Sequence, residues 1–67
     1  MEIKNKQIKE YIFRELGDVD VVKFEYRYTM YEGLVGVSCK YFDLDGKVHE
    51  CGLDTGCFKG IDLRDII

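Results

Sequence analysis

Val22, Phe24, Tyr26, Tyr28 and Met30 alternate with Lys23, Glu25, Arg27, Thr29 and Tyr31. Successive side chains of a strand point to opposite faces, so this period of two describes a strand with one apolar face. Such a strand is stable only when further strands and a covering layer share that face. The following residues supply the further strands. Glu32-Gly33 has the composition of a two-residue hairpin turn, and residues 34–42 read as a second strand. Asp43-Leu44-Asp45-Gly46 then reads as a type I turn with glycine in the left-handed position, before a third strand over residues 47–53.

Each turn predicts a register. With Tyr31 opposite Leu34, the first hairpin sets Met30 by Val35, Tyr28 by Val37, Tyr26 by Cys39, Phe24 by Tyr41 and Val22 by Asp43. With Asp43 opposite Lys47, the second sets Tyr41 by His49, Cys39 by Cys51 and Val37 by Leu53. Both put apolar residues on one face, and the other face receives a charge ladder, Glu25–Lys40–Glu50. A slip of one residue would invert a whole strand, so the agreement supports an antiparallel meander of order 1-2-3.

Ahead of the sheet, Ile8, Tyr11, Ile12 and Leu16 recur at i, i+3, i+4 and i+8, the stripe of an amphipathic helix, while Lys6, Lys9, Glu10 and Arg14 fall off it. Asn5 suits the N-cap and Gly17 the residue after the end, which bounds a helix over about residues 5–16. Behind the sheet, residues 54–60 have loop composition and residues 61–67 suit a short helix. The chain therefore reads as one α+β domain spanning residues 1–67, with an N-terminal helix packed on one face of a three-stranded antiparallel meander.

Composition restricts the function classes. No apolar run approaches the roughly 20 residues that span a bilayer, and Met1-Glu2-Ile3-Lys4-Asn5 is not the apolar core of a secretory signal, so no membrane association and a cytoplasmic location are expected. The net charge is −3, with the negative balance carried by residues 18–67, which disfavours nucleic acid as a partner. The chain contains no Pro and no Trp, no Ala occurs, and residues with AT-rich codons dominate. Such usage points to an AT-rich genome, as in a low-GC bacterium, its phages or its mobile elements.

Four groups of residues bear on function. Cys39, His49, Cys51 and Cys57 are zinc-ligand types, but Cys39-x₉-His49-x-Cys51-x₅-Cys57 lacks the paired knuckles of structural zinc sites. Cys39 and Cys51 read better as small core hydrophobes beneath the helix, with His49 at the sheet margin, and neither a metal nor a cofactor is expected. A Cys51–His49 nucleophile pair would face the core with no cleft, so no enzymatic activity is expected either. Asp18, Asp20, Asp43 and Asp45 should gather at one end of the sheet, where they could meet a basic surface. Tyr31, Leu34, Phe42 and Val48 should lie among the charges on the face turned away from the helix, and apolar patches rimmed by charge commonly mark binding surfaces. Strand one is also a long edge without Pro, suited to recruiting another strand, either from a second copy as a homodimer or from a partner protein.

Together these features describe a small non-enzymatic protein-binding module. The specific expectation is a phage or mobile-element inhibitor of a host protein, such as an anti-defence protein. The competing reading is a small zinc-stabilised or thiol-redox protein using Cys39, His49, Cys51 and Cys57.

Overall fold

The computed structural model describes residues 1–67 in the order α1 (Lys6–Leu16), β1 (Asp20–Thr29), β2 (Gly33–Phe42) and β3 (Val48–Leu53), then 3₁₀ turns at Thr55–Phe58 and Leu63–Asp65. The strands form one antiparallel sheet in the order β1-β2-β3, as the sequence predicts. Asn5 caps α1 by accepting the Ile8 amide at 3.1 Å, and the Gly17 amide, at φ +84°, closes its other end on the Phe13 carbonyl at 2.9 Å. Ile8 and Ile12 are the fully buried residues of the helical stripe, and Tyr11 and Leu16 flank them. No helix is long and apolar enough to cross a membrane.

The second hairpin has the predicted register throughout: Tyr41 faces His49, Cys39 faces Cys51 and Val37 faces Leu53. The Gly46 amide donates to the Asp43 carbonyl at 3.0 Å, with Gly46 at φ +78°. The first hairpin differs. Its loop is residues 30–32, with Gly33 at φ +70° opposite Thr29 and the Glu32 amide donating to Thr29 Oγ1 at 2.9 Å. Three loop residues followed by a left-handed glycine match the right-handed twist of the strands, whereas a Glu-first primed turn would force Glu32 into positive φ.

Two bulges follow from that correction. Val22 is the extra residue of β1 and Val35 the extra residue of β2, so Val21 faces Tyr41, Phe24 faces Cys39, Tyr26 faces Val37 and Tyr28 faces Leu34. Val21 is therefore buried where Val22 was expected, Val35 is exposed, and Leu34 turns inward against the core rather than outward. Glu25 faces Ser38, and Lys23 is the residue opposite Lys40. The charge ladder survives on the diagonal: Glu25 lies 3.0 Å from Lys23 and 3.3 Å from Lys40, and Lys40 lies 3.9 Å from Glu50.

The core consists of Ile8, Ile12, Val21, Phe24, Val37, Cys39, Leu53, Phe58 and Ile66. Phe58 reaches it from the first 3₁₀ turn and packs edge-on against Phe24 and Tyr26, with centroids 6.0 and 6.3 Å away. Asp54 caps that turn by accepting the Gly56 amide at 2.9 Å. The expected C-terminal helical segment is the 3₁₀ turn Leu63–Asp65, after which the Ile66 carbonyl accepts the Lys4 amide at 2.6 Å. The last residues thus lie against the start of α1.

Candidate protein-binding surface

Because α1 and the C-terminal turns cover the inner face of the sheet, the outer face is the broad surface left open. Its rows follow from the register. Asp20, Phe42 and Val48 form one row across all three strands, and Lys23, Lys40 and Glu50 form the next. Phe42 is 39% and Val48 56% exposed, and Leu44, in the turn that follows Phe42, is 99% exposed. Three apolar side chains therefore stand at one end of the molecule beside the carboxylates of Asp18, Asp20 and Asp45. Leu44 is the member that sequence reasoning missed. Its signal was its place as the first central residue of a tight turn, a position that points away from the sheet.

The four aspartates share that end of the sheet but differ in freedom. Asp43 is engaged by its own turn: Oδ1 accepts the Asp45 and Lys47 amides, both at 2.9 Å, and Oδ2 accepts from His49 Nε2. The Lys47 amide first, then His49 and the Asp45 amide, hold the Asp43 carboxyl below its ordinary value. Asp20 lies 3.5 Å from the Met1 ammonium. Asp18 and Asp45 are exposed and form no ion pair. Asp43 thus braces the turn that presents Phe42, Leu44 and Val48, leaving Asp18, Asp20 and Asp45 to face solvent.

The other candidate residues are placed elsewhere. Tyr31 sits with Met30 at the tip of the β1–β2 hairpin, both 96% exposed, at the far end of the sheet from the aspartates. Leu34 packs against the core. No three His, Cys, Asp or Glu side chains gather in a way that could hold a metal ion. Cys39 is buried, and burial pushes its thiol up to about 11. Cys51 Sγ lies 3.4 Å from the Gly52 carbonyl, while His49 is turned to Asp43 and stacks on Tyr41 at 5.7 Å. The largest hollow, about 690 Å³, lies on the outer face over Gly36, Ser38 and Gly52, rimmed by Glu25, Arg27 and Glu50.

No protein-family model matches this chain, and neither the curated proteins nor the solved structures contain a match to it.

Proposed function

We propose that this chain is a non-enzymatic protein-binding module that docks through the aspartate-bearing end of its outer sheet face. The observation that carries the reading is the row Asp20–Phe42–Val48 with Leu44 beside it: apolar anchors held on a rigid sheet, rimmed by carboxylates that remain in water. Interfaces commonly combine an apolar centre with a charged rim, in which the centre slows dissociation and the rim speeds encounter. The complementary partner is a protein surface with a shallow apolar depression edged by Lys or Arg. Acidity and AT-rich residue usage favour a phage or mobile-element product that occupies such a surface on a host defence protein.

The test immobilises wild-type chain, Phe42→Ala/Val48→Ala and Asp18→Asn/Asp20→Asn/Asp45→Asn, and compares capture from lysates of low-GC bacteria. The expected result is a protein captured by wild type, lost with the alanine pair, and bound more slowly by the asparagine triple, with the deficit shrinking as salt rises. Equal capture by wild type and by the alanine pair, with circular dichroism unchanged, refutes the surface.

A further inference from the structure

β1 has a neighbour on one side only, so one edge of the sheet carries unpaired backbone amides and carbonyls along a strand of ten residues. Open edges recruit strands. What the edge recruits depends on the side chains that flank it. The bulge at Val22 ends the regular part of β1 on one side, leaving Lys23 to Thr29 in unbroken alternation with Lys23, Glu25, Arg27 and Thr29 on the outer face. Within this run Glu25 and Arg27 stand two residues apart, with Tyr26 between them. Arg27 is exposed and forms no ion pair within the chain, its side chain resting over Gly36.

An antiparallel pairing of this strand with its own copy about a two-fold axis at Tyr26 is self-complementary. It sets Glu25 opposite the Arg27 of the other copy, twice, and Phe24 opposite Tyr28, twice, with Lys23 opposite Thr29. Moving the axis to Glu25 makes both pairs repulsive, placing Glu25 on itself and Lys23 on Arg27. An axis at Phe24 sets Lys23 opposite Glu25, twice, but runs the pairing through the bulge at Val22 and leaves Arg27 against Val21, still without a carboxylate.

We infer that a second copy of this chain occupies the β1 edge, pairing antiparallel about Tyr26 and joining two three-stranded sheets into one of six. Arg27, turned outward from Gly36, then shares the other copy's Glu25 carboxylate with Lys23 and Lys40, and two unpaired edges are closed at once. This interface is separate from Phe42, Leu44 and Val48, which stay open on each copy.

Light scattering during gel filtration over a concentration series tests the pairing. Wild type should show the dimer mass. Arg27→Glu turns two attractive cross-strand pairs into two repulsive ones, and dimerisation should weaken on the order of tenfold or more, recovering in part at high salt. Glu25→Lys should also be monomeric, yet an equimolar mixture with Arg27→Glu should form heterodimers, because residues 25 and 27 are then complementary in both places. Circular dichroism establishes that each variant is folded; if Glu25→Lys is not, Glu25→Gln takes its place and should still pair with Arg27→Glu better than Arg27→Glu pairs with itself. A wild type that stays monomeric across the series overturns the inference, as does an Arg27→Glu chain that dimerises like wild type. Loss of the dimer in Phe42→Ala/Val48→Ala would move the interface to the outer face and overturn it as well.

Discussion

Replacing Phe58 tests how far the fold depends on the segment after the sheet. Its ring is 2% exposed and makes edge contacts with both Phe24 and Tyr26. Truncating a core phenylalanine to alanine costs about 3–5 kcal/mol in lost burial and residual cavity. A chain of this length has roughly 3–10 kcal/mol of stability in total. Phe58→Ala should therefore be marginally folded or unfolded at room temperature. Phe58→Leu keeps most of the apolar volume and loses the two aromatic contacts, a loss of about 1–3 kcal/mol. With an m-value of about 1 kcal/mol per molar urea, its midpoint should fall by about 1–3 M without a change in slope. Urea titration followed by far-ultraviolet circular dichroism and tyrosine fluorescence measures both variants, since the chain has no Trp. If the Phe58→Ala midpoint lies within about 0.5 M of wild type, the 3₁₀ turn is not part of the cooperative core and the argument fails.

Four further outcomes are expected. Cys39→Ser places a hydroxyl without a partner in the core and should cost about 1–3 kcal/mol in urea titration. In the native protein a thiol-specific reagent should modify the half-buried Cys51 and Cys57 well before Cys39, which should react only on unfolding. The Asp43 carboxyl is held below its ordinary value of 3.8, so its contribution is complete above that value and is lost as pH falls through the lowered one. Melting temperature followed down to about pH 2 should decline accordingly, and Asp43→Asn should flatten part of the decline. Lys40→Glu sets a new carboxylate beside Glu25 and Glu50, with Lys23 directly across the strand to offset part of the repulsion, so in urea titration it should cost about 1 kcal/mol and the loss should shrink at high salt; a loss that salt does not change would contradict the ladder.

The parts of the fold that were legible are those in which local chemistry and periodicity agree. α1 has a capping Asn5, a clear stripe and a terminal Gly17, and the β2–β3 turn has an aspartate that can accept amides and a glycine that can adopt positive φ. The β1–β2 hairpin was harder because Gly33 satisfies two different turns, and the choice between them moves β1 along β2. Bulges at Val22 and Val35 then exchange inward for outward residues without disturbing the apparent alternation, which is why the alternation alone puts Leu34 on the outer face although it packs against the core. At the candidate surface, Phe42 and Val48 were placed correctly because they lie within the legible hairpin. Phe58 and Ile66 gave no periodic signal, since isolated turns bury single residues at irregular intervals.

The hydrogen bond from Lys4 to Ile66, together with Phe58 in the middle of the core, has a consequence for how the protein comes into being. A polypeptide growing from its amino end carries α1 and all three strands before it carries either of the residues that complete the interior. Until Phe58 and Ile66 are free to dock, the helix has a sheet to rest on but an unfilled hollow beneath it. Protease resistance of the nascent chain should therefore appear in a single step, and only once the segment through Ile66 has left the ribosome.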